Sequence, residues 1–150
     1  MHHFRRALFV FGFAGTLFAA DPFVGAWRLD PARSSGQIPK DETVTIQKHG
    51  SALSVDVQVT TAGPDPKSLL IRYSAPAGGG IGRVEKGPYD GVFLRRLDAR
   101  SMETTYFSSG KEIRSTRGVV SGDGRTMTST GAAMGTDEKW TMVFRKEKAR

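Results

Sequence analysis

A strict alternation of apolar and polar residues from Leu53 to Thr60 constrains this chain more than any other feature of its sequence. The four apolar residues of the segment fall on one side of the alternation, and the polar residues fall on the other. Successive side chains of a strand point to opposite faces, so the pattern predicts a β-strand with one buried face and excludes a helix. Residues 44–48 alternate in the same way, and His49–Ser51 between the two segments predicts a hairpin turn.

Further strands are predicted along the chain from the same alternation and from the turn residues between segments. They are Leu69–Ser74, Val84–Lys86, Val92–Leu97, Met102–Phe107, Glu112–Val120, Thr126–Thr130 and Lys139–Arg145. One helical turn is predicted over Asp30–Ser35, where Pro31 and the polar run limit its length. The chain is therefore predicted to be all-β, with about 8–10 short strands joined by tight turns.

Short connections between successive strands predict an antiparallel meander. A meander of this length leaves two exposed edges unless it closes on itself. We therefore expect a single up-and-down antiparallel β-barrel. A two-sheet sandwich is the alternative fold, and it would be favoured by longer crossover loops than those between the predicted strands.

The first 20 residues have the pattern of a secretory signal peptide. A basic start is followed by an apolar run of about a dozen residues, which is shorter than the roughly 20 residues that span a membrane as a helix. The small residues Ala19 and Ala20 then predict cleavage near that point. We expect a signal peptide over 1–20, one barrel domain over 21–150, and a secreted or periplasmic protein without a stable membrane anchor.

The composition removes most familiar catalytic and metal-binding chemistry. The chain has no cysteine, and after signal removal its one histidine is His49, in a predicted turn. A cysteine nucleophile and a zinc site of several His or Cys ligands are therefore excluded, and a Ser-His-Asp triad has no support. We expect no catalytic residue, no metal and no cofactor. Loss of Arg5 and Arg6 with the signal lowers the net charge from +7 to +5, and this charge is spread along the chain. We therefore expect no nucleic-acid partner, which export also argues against, and we expect a monomer.

The glycine-rich segment Gly78–Gly82 invites comparison with a phosphate-binding loop. It lacks the Gly-Lys-Ser/Thr ending of such loops, and no predicted helix follows it. We therefore predict a connection between strands, which in a barrel could act as a flap over the mouth.

Three segments of the chain resemble bacterial exported lipocalin-like domains, a group of β-barrels. These segments are Phe23–Ser34, Val119–Thr128 and Trp140–Arg145. The resemblance implies that the Trp of the Gly25–Ala26–Trp27 tripeptide plugs the closed end of the barrel, under a basic residue near the last strand. Arg145 is the candidate for that residue, and Lys146 is the neighbour of opposite parity. Gly25, Trp27 and Arg145 are thus expected to form the floor of the barrel.

Two arginines are candidates for holding a ligand. Arg95 and Arg117 each alternate in phase with apolar neighbours, so both guanidinium groups reach the interior if those faces point inward. A buried guanidinium needs an anionic partner, which a ligand carboxylate or sulfate would supply, as would Glu103. Tyr106 would add a hydroxyl group. We therefore predict Arg95, Arg117 and Tyr106 as ligand-binding residues.

These observations favour a non-catalytic binding protein for a small amphipathic or anionic hydrophobic ligand. Two alternatives remain. One is an envelope interaction module with a filled core, and the other is a lipocalin-fold enzyme that uses an Arg/Tyr or carboxylate pocket. The direction of Arg95 and Arg117 and the size of any cavity distinguish the three.

Overall fold

A computed structural model describes residues 20–148 of the chain, so the predicted signal peptide lies outside the described residues except for Ala20. Almost all of the regular structure is β. The strands are β1 (Gly25–Leu29), β2 (Ser35–Gly36), β3 (Asp41–His49), β4 (Ala52–Thr60), β5 (Ser68–Pro76), β6 (Gly80–Lys86), β7 (Gly91–Asp98), β8 (Ser101–Ser108), β9 (Lys111–Val120), β10 (Thr126–Ala133) and β11 (Lys139–Lys146). A 3-10 turn at Pro31–Arg33 follows β1. No helix in this part of the chain is long and apolar enough to cross a membrane.

The strands form one antiparallel sheet that closes on itself. Neighbours in the sheet follow chain order from β3 to β11, and β1 pairs with β3 on one side and β11 on the other. Ten strands thus make an up-and-down barrel, and the two-residue β2 extends the pairing along β11 beyond the 3-10 turn. The predicted barrel is confirmed, and the sandwich alternative is wrong because the closing pairs leave no free edge.

The alternation read from the sequence decides which side chains fill the barrel. The register places Val44, Val57 and Ile71 on neighbouring strands at one level of the interior. All three are buried. Each such side chain contributes about 1.5–3 kcal/mol relative to an exposed one, so the inward faces supply most of the stabilisation.

One end of the barrel is closed by the segment that precedes β1. Phe23 and Trp27 are fully buried there, and Trp27 Nε1 donates a hydrogen bond of 2.9 Å to the Phe23 carbonyl oxygen. Arg96 ties this plug to β7: its side chain pairs with the carboxylate of Asp21, donates to the Ala77 carbonyl oxygen at 2.9 Å, and lies 5.0 Å from the centre of the Phe23 ring.

The basic residue over the floor is Lys146, which corrects the expectation for Arg145. Lys146 Nζ lies 5.1 Å from the centre of the Trp27 ring, whereas the Arg145 side chain is 69% exposed and faces Asp30. Strand β11 stays regular, so Arg145 keeps the parity opposite to the inward-facing residues Trp140, Met142 and Phe144. Gly25 fits the expected floor, because its φ of +141° favours glycine and a β-carbon there would lie 2.6 Å from Lys146 Cε.

The glycine-rich loop also lies at the closed end, so the idea of a flap over the mouth is wrong. Ala77 N donates to the Ser51 carbonyl oxygen of the β3–β4 hairpin at 2.7 Å. A β-carbon on Gly79 would lie 3.1 Å from the Leu94 carbonyl oxygen. The loop packs against its neighbours at the end that Trp27 plugs, and Gly80 already belongs to β6.

Candidate ligand-binding cavity

The barrel contains a cavity of about 750 Å³ that opens at the end opposite Trp27. This volume lies within the range of about 300–1,000 Å³ that is usual for small-molecule sites. Its deep part is apolar, and the side chains there include Phe23, Ile46, Val55, Met102, Met127 and Phe144. The mouth is bordered by residues 37–39, by the loop after β4 and by Glu138 before β11.

Polar side chains gather in the half of the cavity nearer the mouth. Glu42 lies near the start of β3, Arg114 near the start of β9 and Trp140 near the start of β11. Neighbouring strands of an up-and-down barrel run in opposite directions, so the alternate strands β3, β9 and β11 all begin at the same end. The topology therefore brings together three side chains that are far apart in the sequence.

Glu42 is a carboxyl group buried in the barrel wall. The residue is only 8% exposed, and it sits opposite Val59 of β4. Burial raises the pKa of Glu42 from 4.5 to about 7, because the charged form loses its water; Arg114 lowers it and Asp41 raises it by smaller amounts. Near neutral pH this group therefore exchanges between a hydrogen-bond donor and a negative charge.

Arg114 carries the positive charge of the site. Its guanidinium carbon lies 4.1 Å from the centre of the Trp140 ring, a stacking distance at which the cation is attracted to the indole face. Trp140 has room for this arrangement because its strand partner is Gly131, where a β-carbon would lie 2.2 Å from Trp140 Cζ2. The indole Nε1 is buried and has no hydrogen-bond acceptor among the described residues.

Three tyrosines also line the cavity. The rings of Tyr73 and Tyr106 meet edge to face with centres 5.9 Å apart, and Tyr89 lies 4.5 Å from Tyr106. Burial raises the pKa of Tyr73, and it raises that of Tyr106 further above the ordinary value. Their hydroxyl groups therefore stay neutral at physiological pH, and the two side chains interact with each other through a hydrogen bond.

The structure separates the three predicted ligand-binding residues. Tyr106 lies in the cavity wall, but Arg95 and Arg117 do not reach the cavity. Both arginines point outward, with side chains 59% and 54% exposed, and both pair with Glu103, at 2.8 Å and 2.7 Å. The inward orientation considered for them is wrong, because Leu94 and Val120 fill the interior and leave their strand neighbours outside.

The sequence reasoning missed Glu42 and Arg114 as residues of the site. Glu42 alternates in phase with Val44 and Ile46, which marks its inward direction. Arg114 is in phase with Val120, which is the buried residue of that strand. The sequence prediction took Val119 as the inward residue instead, and it therefore placed Arg117 inside and Arg114 outside. Counting every second residue from the most buried side chain of each strand identifies both Glu42 and Arg114 as inward-facing.

No cluster of three or more His, Cys, Asp or Glu side chains within residues 20–148 is arranged to hold a metal ion. Comparison with protein-family models finds no family that matches this chain, and comparison with curated proteins finds no match either. The closed ten-stranded antiparallel barrel is compatible with a lipocalin-like fold. Any statement about function therefore rests on the cavity and on the residues that line it.

Proposed function

We propose that this protein is an exported, non-catalytic binding protein that holds a small amphipathic ligand inside its barrel. The observation that carries the proposal is the open cavity of about 750 Å³, apolar at depth and polar near its mouth. An apolar ligand body buried there gains about 25 cal/mol per Å². The few polar groups near the mouth would fix the orientation of the ligand, with its polar end outward.

Binding of simple amphiphiles to the purified protein tests this proposal. Dodecanol and dodecanoate would be titrated below their micelle-forming concentrations, with the fluorescence of Trp140 as the signal. Gly118→Leu would partly fill the cavity: a β-carbon there makes ordinary contacts, 3.5 Å from Phe23 Cε1 and 3.8 Å from Met127 Sδ. We expect binding to weaken about tenfold or more, because each buried methylene contributes about 0.8 kcal/mol and tenfold corresponds to about 1.4 kcal/mol.

Val119→Leu is the matched control, since Val119 is the next residue of the same strand, points outward and is 41% exposed. It should bind as the unaltered protein does. If neither amphiphile binds, or if both variants behave alike, the proposal fails.

Export is the part of this proposal that depends on the pattern of residues 1–20. A periplasmic or secreted protein with its N-terminus near Asp21 supports it, and fractionation followed by N-terminal sequencing measures it. A protein that keeps its first 20 residues in the cytoplasm would refute it. Monomeric behaviour is proposed with it, and light scattering tests that.

An enzyme in the same cavity is the second candidate function, because of Glu42. A buried carboxyl with a pKa of about 7 is suited to proton transfer at neutral pH, and Tyr106 and Arg114 could stabilise negative charge. Hydrolysis of para-nitrophenyl butyrate that is lost in Glu42→Gln would support this candidate. Equal background rates in both proteins would remove it.

The interaction-module alternative requires a filled core, and the open cavity argues against it. A feature that favours it is an exposed apolar pair on the outer wall, where Ile81 of β6 is 83% exposed beside Phe93 of β7.

A further inference from the structure

Arg114 differs from the other arginines by facing the cavity without an acidic partner. Six arginines in residues 20–148 pair with a carboxylate, namely Arg28, Arg72, Arg95, Arg96, Arg117 and Arg145. No carboxylate oxygen of the described residues comes within 4.0 Å of Arg114. A partly buried guanidinium in this state lacks the compensation that such charges normally have.

Glu42 is the buried acid of the same cavity, and it does not fill that role. Both residues line the cavity, and they influence each other electrostatically, yet they form no ion pair. The cavity is thus lined by a positive charge and a carboxyl group that are not paired with each other. The side chains of Tyr73, Tyr89 and Tyr106 line the same cavity.

We propose that a single ligand carboxylate occupies the space between Arg114 and Glu42, with the ligand's apolar body directed toward Phe23. This inference rests on the proposed binding function and names its ligand class. Arg114 would pair with the carboxylate, a planar match for a guanidinium. Glu42 would hold the proton that lets its own carboxyl group donate a hydrogen bond to the ligand.

The charges around Glu42 favour one negative charge over the other head groups. Asp41 on the same strand and Glu138 at the rim are acidic, and Arg114 is the arginine facing the cavity among the described residues. A single cation can pair with a ligand that carries one negative charge. A second negative charge on the ligand would have only acidic side chains and neutral tyrosines as neighbours. An ammonium group would be repelled by Arg114, and an alcohol would leave it unpaired.

Binding of a carboxylate should be coupled to proton uptake by Glu42. A second negative charge beside Glu42 favours its protonated form and raises its pKa above the value of about 7 in the free protein. Above about pH 7 the protein must therefore take up a proton to bind. We expect the Kd to rise by up to about tenfold per pH unit there and to stay nearly constant between about pH 6 and pH 7.

The test compares dodecanoate, dodecanol and dodecylamine by titration calorimetry. Dodecanoate should bind at least about tenfold more tightly than dodecanol at pH 7, the usual value of a hydrogen bond to a charged group, and dodecylamine should bind most weakly. At about pH 8, titrations in two buffers of different ionisation enthalpy should show uptake of nearly one proton with dodecanoate and none with dodecanol.

Two substitutions assign the effect to residues. Arg114→Met should weaken dodecanoate binding about tenfold or more and leave dodecanol binding nearly unchanged. Arg117→Met on the outer face of the same strand should alter neither. Glu42→Gln keeps a donor without a titrating proton, so its dodecanoate affinity should not depend on pH. Proton uptake by the unaltered protein provides a test that needs no variant to fold.

The outcomes separate this inference from the proposed function. Equal affinity for dodecanoate and dodecanol without proton uptake would leave a binding barrel and overturn the carboxylate site. Tighter binding of dodecylamine would overturn it as well. If no member of the series binds, both proposals fail.

Discussion

Replacing Glu42 by glutamine should stabilise the ligand-free barrel, and the gain should depend on pH. In the folded protein the pKa of Glu42 is about 7, against 4.5 for the exposed carboxyl group. Folded molecules therefore hold the proton more tightly than unfolded ones, and stability falls as pH rises from about 4.5 to about 7. Each pH unit between the two values corresponds to about 1.4 kcal/mol, so the loss reaches about 3 kcal/mol above pH 7.

Glu42→Gln has no such proton to lose. Its free energy of unfolding should exceed that of the unaltered protein by an amount that grows through this window by about 3 kcal/mol and then stays constant. For a chain of this size each kcal/mol moves the Tm by about 2–4 °C, so the Tm difference should grow by about 6–12 °C. Urea unfolding of lipid-free protein at a series of pH values measures the free energy directly.

Glu103→Gln is the matched control, because the hydrogen bond from Arg117 lowers the pKa of Glu103. The stabilisation from a carboxylate of lowered pKa is present above its unfolded value and lost in acid. This variant should therefore be less stable than the unaltered protein at neutral pH and match it in acid. A stability difference for Glu42→Gln that stays flat across the pH range would refute the reasoning.

Three further substitutions, two of them with a control variant, test the floor and the cavity wall. Lys146→Ala should lower the free energy of unfolding, measured by thermal unfolding, by about 1 kcal/mol, because it removes the ammonium group that lies over the Trp27 ring. Arg145→Ala should lower it by less than about 0.5 kcal/mol, because Arg145 is exposed. Asp21→Asn should cost about 3 kcal/mol in urea unfolding, because it leaves Arg96 buried without an acid; an unchanged midpoint would contradict the plug. Gly131→Ala should displace the Trp140 indole and shift its fluorescence maximum, while Gly135→Ala, where a β-carbon meets nothing within 4 Å, should leave that maximum in place.

The fold could be predicted from the sequence because its determinants are local. Alternation from Leu53 to Thr60 specifies a strand by itself, and the short turn at Gly50 allows only an antiparallel partner. The direction of Tyr106 follows from the same rule. The alternation of side chains shows which residues share a face of the strand, however, and where both faces are partly apolar it does not show which face is inside.

The direction of Arg114 required information that its own strand does not contain. In β9, Val119 and Val120 are equally apolar, and only the packing of the closed barrel places Val120 inside with Arg114. Similarly, Arg145 and Lys146 are adjacent basic residues, and the register with β1 decides which one lies over Trp27. Sites assembled from strands that are distant in sequence depend on closure, which local patterns do not encode.

The pairing of β1 with β11 gives this barrel an order of assembly. Apart from β2, which extends this seam, every other strand pairs only with strands close in the chain, but the seam joins residues from opposite ends of the barrel sequence, such as Trp27 and Lys146. Local hairpins form before such a contact, whose loop-closure entropy makes it late and slow. The cavity exists only once the seam is closed. We therefore expect a ligand that binds only to the closed cavity to prolong the life of the folded barrel by slowing unfolding, while the rate of folding stays unchanged.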